Sequence, residues 1–254
     1  MSFSHHKFDL PGMDIPSNGY SSKFVSKAMA RLVKPIDPND PEQYPADLTI
    51  KCGSLDVEAH SHVLCQDSCY FKVVCKGGFL EARTQELKLP AEEEFLIRRL
   101  LCYRYTTAYN DEPYDDEKEP PPHIMAPAYV NRLYLNAQMY SIADKYDILS
   151  LKEKAVDKFE TAIWEIQTLG TMSPQTGASL LDQMIETVPY IYSSTPDSDR
   201  CLRDRAVGVV IWRRKQIGSH AGLRNLAAAV PEFFEDTSRA ASSFLQLNSR
   251  LRSI

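Results

Sequence analysis

The segment "AHSHVLCQDSCYF", from Ala59 to Phe71, gathers two imidazoles, two thiols and a carboxylate into a short span. His60, His62, Cys65 and Cys69 are ligands of the kind that hold zinc, and a closed four-ligand site is one chemistry they could perform. A second is nucleophilic, with a Cys65 or Cys69 thiolate and a histidine as its base. Structural zinc sites, however, usually pair their ligands two to four residues apart in loops or knuckles. Here the histidines fall at a strand end and a helix start, while the thiols fall on separate short helices. A thiol nucleophile would also need an accessible cleft that stabilises the thiolate, and nothing nearby marks an oxyanion hole. Cysteine packs readily as a small hydrophobe. The segment therefore reads as packing, with His60 satisfying backbone groups at a hairpin exit. No catalytic residue, metal ligand or cofactor is expected.

Other chemical signals are weaker. Gly77-Gly78 lacks the Lys-Ser/Thr and the preceding parallel strand of a phosphate loop, and reads as a helix stop. The acids Asp111, Glu112, Asp115, Asp116, Glu117 and Glu119 lack the central glycine and flanking helices of a calcium loop, so residues 110–127 read as an exposed acidic loop. "WRRKQ" at Trp212 to Gln216 mixes an aromatic with cations, but suits a helix end better than a nucleic-acid surface.

The elements that must position these residues are legible in outline. Residues 1–19 read as a disordered tail rich in Pro, Gly, Ser and His. Within residues 20–45 an N-terminal helix, Ser22 to Val33, places Phe24, Val25, Ala28, Met29 and Leu32 at helical spacing, and a proline-punctuated linker follows. "DLTIKC" and "LDVEAH" alternate as strands around Gly53-Ser54, a hairpin turn. Ser61 is expected to cap a short helix through Gln66, and Ser68 a second from Cys69 to Lys76. "ELKLP" alternates as a third strand. "EEEFLIRRLLCYRYTTAY" predicts a helix with Phe95, Leu96, Leu100 and Tyr103 inward. Two more amphipathic helices run from about residue 131 to Ile166. Helices at Ala178–Tyr192, Asp199–Arg214, Leu223–Ala229 and Pro231–Leu247 make residues 175–254 a helical C-terminal extension.

Composition sets the class. The 254 residues are 43% hydrophobic and 25% charged, ordinary globular values, and the net charge of −5 offers no basic field to a polyanion. Five of the six cysteines lie between Cys52 and Cys102, without a disulfide framework around them, which suits reduced thiols. The N-terminal residues lack the apolar core of a signal peptide, and no run approaches the roughly 18 apolar residues of a membrane span. The expectation is an intracellular protein, nuclear or cytoplasmic and not secreted, with no membrane or direct nucleic-acid partner.

The order helix, hairpin, paired helices, strand, helix, acidic loop, helix pair resembles the BTB/POZ domain. "VEAHSHVLCQDSCYF" is similar to the family signature F-x-x-H-[KR]-x-V-L-x-x-x-S-x-x-F at His60, Val63, Leu64, Ser68 and Phe71. Asp47 in "DLTIKCG" matches the opening strand, and "GGFLEA", "LKLPAE", "YRYTTAY" and "IADKYDILSLKEKA" continue in order. The acidic insertion and the tail motifs "IYSSTPDSDRCLRDRAV" and "VPEFFED" are similar to those of BTB proteins of filamentous fungi. The firm likeness spans residues 46–166.

The resemblance implies an α+β fold: a small, mostly antiparallel sheet flanked by helices. It implies a binding module and not an enzyme. Self-association as a homodimer would use Phe24, Val25, Ala28, Met29 and Leu32 with the short helices Ser61 to Lys76. A role as substrate adaptor of a cullin–RING ubiquitin ligase would use Phe79 and Glu81, which occupy the family's hydrophobic-x-Glu cullin contact, with a client protein that the sequence does not name. Alternatives are a BTB-type scaffold in transcriptional regulation, or an enzyme built on His60, His62, Cys65 and Cys69. One departure matters. Many family members place Arg or Lys after the signature histidine, opposite the strand aspartate, whereas Ser61 stands here opposite Asp47, so a charged pocket of that build lacks its cation.

Overall fold

The computed structural model describes residues 46–111, 131–168, 180–212 and 221–251. The proposed N-terminal helix, with Phe24, Val25, Ala28, Met29 and Leu32, lies outside the described residues, as does most of the acidic loop.

Strand β1 (Leu48–Cys52) pairs antiparallel with β2 (Leu55–Ala59), in register from Leu48 opposite Ala59 to Cys52 opposite Leu55. Alternate residues Leu48, Ile50 and Cys52 are buried, as period-2 patterning requires. The turn depends on Gly53, whose φ of +59° is left-handed and strained for a side-chain-bearing residue. Strand β3 (Glu86–Lys88) lies on the other edge of β1 and runs parallel to it, giving the order β2-β1-β3. The sheet is therefore small and mixed, with the longer of its two pairings antiparallel. After β2 the chain crosses over through three short helices and re-enters beside β1 in the same direction, as parallel pairing demands.

That crossover comprises α1 (Ser61–Leu64), α2 (Cys69–Lys76) and α3 (Leu80–Thr84). Ser68 caps α2 as its spacing predicts, its hydroxyl accepting from the Phe71 amide at 3.0 Å. Ser61 does not cap α1. Its hydroxyl donates to Asp47 instead, the N-cap position falls to His60, and the helix ends at Leu64, short of Gln66. Gly77 stops α2 in an extended conformation because space is lacking: a Cβ there would sit 2.3 Å from the Val73 carbonyl and 3.0 Å from the Phe79 ring.

Helix α4 (Glu94–Thr106) packs against α1 and against α5 (Arg132–Lys145), and α5 pairs with α6 (Leu149–Thr168). On α4, Leu96, Leu100 and Tyr103 are buried and Phe95 is half-buried. Asn131 caps α5 by accepting from the Leu133 and Tyr134 amides at 3.0 and 3.1 Å. The extension forms α7 (Leu180–Ser194), α8 (Cys201–Trp212), α9 (Ala221–Ala229) and α10 (Pro231–Leu251). It packs on the preceding domain. Helix α7 lies against α5, and one hydrophobic core runs from Ile50 through Phe71, Leu133 and Val188 to Phe233. No helix among the described residues is long and apolar enough to cross a membrane.

Polar groups tie this core together. Asp111, grouped by sequence with an exposed acidic loop, is only 4% exposed. It accepts from Arg132 Nε at 3.0 Å, Lys158 Nζ at 2.8 Å and Asn136 Nδ2 at 3.1 Å. Burial pushes its carboxyl up, but Lys158 and Arg132 together hold it below the usual carboxylate value. Arg99 is buried with Nε on the Asn110 carbonyl at 2.8 Å, and Arg104 reaches the Val63 carbonyl at 2.5 Å and the Asp67 carboxylate.

Candidate protein-interaction surface

The imidazoles and thiols of the first crossover segment are dispersed by the fold. His60 is buried, and its Nδ1 lies 3.0 Å from the Tyr105 hydroxyl, which also accepts the His60 amide at 2.9 Å. The ring thus meets a tyrosine, and the His60 carbonyl accepts from the Val63 and Leu64 amides. The His62 ring meets that of His60 edge-on at 5.7 Å. Cys65 is buried beside Cys75, and Cys69 is exposed on α2. Burial and the Cys65 thiol push the Cys75 thiol up to about 12, so it stays protonated. Among the described residues no group of three or more His, Cys, Asp or Glu side chains converges to hold a metal ion.

The other signature positions build the frame. Leu64 and Phe71 are fully buried, and the Phe71 ring stacks on Tyr146 at 5.4 Å. Ser68 donates to the Tyr146 carbonyl at 2.5 Å, pinning the start of α2 to the end of α5. Val63 is only half-buried, and its carbonyl is the acceptor that holds Arg104. Asp47 takes both its bonds from Ser61, one from the amide and one from the hydroxyl, each at 2.6 Å. Partial burial raises its carboxyl, but these bonds more than offset that and hold it below the usual value.

The outward side of α2 and α3 is different in character. Val73 is 53% exposed, Phe79 56% and Leu80 69%, and they cluster where α2 stops and α3 begins. Cys69, Tyr70, Val73, Val74, Phe79 and Glu81 line a shallow groove of about 460 Å³. The Phe79 ring passes close to Gly77, where an added Cβ would come within 3.0 Å of it. Sequence reasoning placed Phe79 and Glu81 here, assigned the helices Ser61 to Lys76, which carry Tyr70, Val73 and Val74, to self-association, and did not single out Leu80. The signal for an uncovered face was present: "CYFKVVCK" is apolar on more than one helical face, yet only Phe71 is buried. A helix apolar all round either lies in a core or leaves a face to be covered, and exposed clusters of this kind mark interaction sites.

No curated protein matches the chain. Residues 39–162 match the model of the BTB/POZ domain. The sheet, the crossover helices and the helices α4 to α6 as far as Ala162 are thus a BTB/POZ domain, a module through which proteins bind one another.

Proposed function

We propose that this chain is a non-catalytic adaptor: a homodimer that recruits a cullin through the α2–α3 face and presents a client protein to a ubiquitin ligase. The exposed Phe79 at the rim of an apolar groove, with Glu81 lining the same groove, carries this reading. Leaving such a surface in water forgoes about 25 cal/mol for each Å² that a partner would cover. The extension α7–α10 serves as the client platform, and its shared core with the domain supports that role. The Phe24–Leu32 segment supplies the apolar stripe for self-association, where obligate dimers bury on the order of 2,000 Å² or more. The tail motifs support a place among BTB proteins of filamentous fungi. A nuclear or cytoplasmic site of action follows from the adaptor reading, and a transcriptional scaffold is the alternative use of the same module.

The test is capture of the organism's cullin N-terminal domains by the purified chain. Binding lost in Phe79→Ala and in Glu81→Lys supports the adaptor reading, and binding indifferent to both rejects the site. Sedimentation that returns a strict monomer at micromolar concentration removes the homodimer.

A further inference from the structure

Glu81 faces two concavities at once. On one side is the apolar groove of Tyr70, Val73 and Phe79. On the other is a small polar cavity of about 50 Å³ lined by Asp47, Ser61, Cys75, Glu81 and Gln85. A single water needs about 10–15 Å³ of such space, so there is room for a compact head group. Two carboxylates border the cavity, and its other polar groups are neutral: a hydroxyl, an amide and a thiol held protonated by burial and by Cys65. Among the described residues neither Asp47 nor Glu81 forms an ion pair within 4.0 Å. Lys76 and Arg83, the cations that adjoin the cavity wall in sequence, are exposed and pair with neither carboxylate within 4.0 Å.

The charge pattern restricts what can cover the groove. A partner that fills it strips water from Glu81, which belongs to both lobes. If that partner brought only apolar groups, Glu81 would lose its water without gaining a counter-charge, which is strongly unfavourable. An acidic partner would be repelled outright. We infer that the partner presents an apolar side chain to the groove and, beside it, a lysine or arginine whose cation enters the Asp47–Glu81 cavity. This rests on the reading of the α2–α3 face as a docking surface, and adds to it the chemistry of the occupant.

The test is selection of short random peptides displayed on phage, with the folded full chain as bait. Parallel selections use the Asp47→Asn/Glu81→Gln double variant and the Phe79→Ala variant. Asp47 and Phe79 are exposed and Glu81 is half-buried, so neither variant removes a core side chain, and circular dichroism checks that each is folded. The expected result is enrichment of peptides pairing Lys or Arg with an aromatic or aliphatic residue. Their affinity should fall about thirtyfold or more on the double variant, as for loss of a desolvated charge pair, and be lost on Phe79→Ala. Peptides lost on Phe79→Ala but unchanged on the double variant would overturn the cation while leaving the docking face standing. Peptides indifferent to both variants, enrichment without basic residues, or no enrichment at all would overturn the inference.

Discussion

The Tyr140 hydroxyl lies 2.8 Å from both carboxylate oxygens of Asp199 and donates between them. Tyr140 belongs to α5 of the BTB/POZ domain and Asp199 to the turn before α8, so one bond clasps the extension to the domain. Lys152 reinforces it from α6, 2.9 Å from Asp199 and 4.6 Å above the Tyr140 ring. Tyr140→Phe removes the hydroxyl and keeps the packing, and a charge-assisted bond of this kind contributes about 1.5–3 kcal/mol. Hydrogen exchange should then quicken in α7 and α8 while β1 stays protected. Equal acceleration in both regions would show that the clasp is not local.

Ser68 bridges two elements by accepting from Phe71 and donating to the Tyr146 carbonyl. Ser68→Ala loses a helix cap and strands a buried carbonyl, together costing about 2–4 kcal/mol. Urea unfolding followed by tyrosine and tryptophan fluorescence should show the lowered midpoint. A change below about 0.5 kcal/mol, the usual range for surface positions, would mean that water replaces the hydroxyl at no cost.

Asp111 makes stability depend on acid. Its folded carboxyl is held below the unfolded value of about 3.9. Its contribution is therefore complete above that value and is lost as the pH falls through the depressed folded one. Asp111→Asn leaves Lys158 and Arg132 without their shared buried counter-charge and should cost about 3 kcal/mol at neutral pH. The penalty should shrink as the pH falls through the depressed folded value. A mutant penalty independent of pH would assign the loss to packing alone.

Thr107 ends α4 with a φ of +58°, a left-handed conformation that a β-branched residue adopts at a cost. Thr107→Gly relieves about 1–2 kcal/mol of strain, less the local bond from its hydroxyl to the Thr106 carbonyl. The thermal midpoint should rise by a few degrees. A fall would show that this hydroxyl outweighs the strain.

Much of this architecture could be read from residue spacing because the relevant rules are local. The hairpin follows from alternation around Gly53-Ser54, and the Ser68 cap from a hydroxyl three residues before the Phe71 amide. What escaped depends on partners far along the chain. Ser61 looked like a cap, but Asp47, 14 residues earlier, takes its hydroxyl. Asp111 looked solvated among acids, yet Lys158 lies 47 residues on. Arg99 and Arg104 are buried although long cations are seldom so, because carbonyls and a carboxylate from distant loops receive them. On the exposed α2–α3 face, the family likeness pointed to Phe79 and Glu81, which line its groove. The acidic cavity beside them was not legible, since it is assembled from β1, α1, α2 and α3 at once.

The parallel return of β3 to β1 has a consequence for how such a protein diversifies. Both ends of the excursion from Ala59 to Glu86 are stitched to the same strand, so its outer lining could be rewritten without any slip in pairing. Residues 69–85 could be transplanted as a cassette between chains of this architecture, exchanging the partner while the host scaffold stays put.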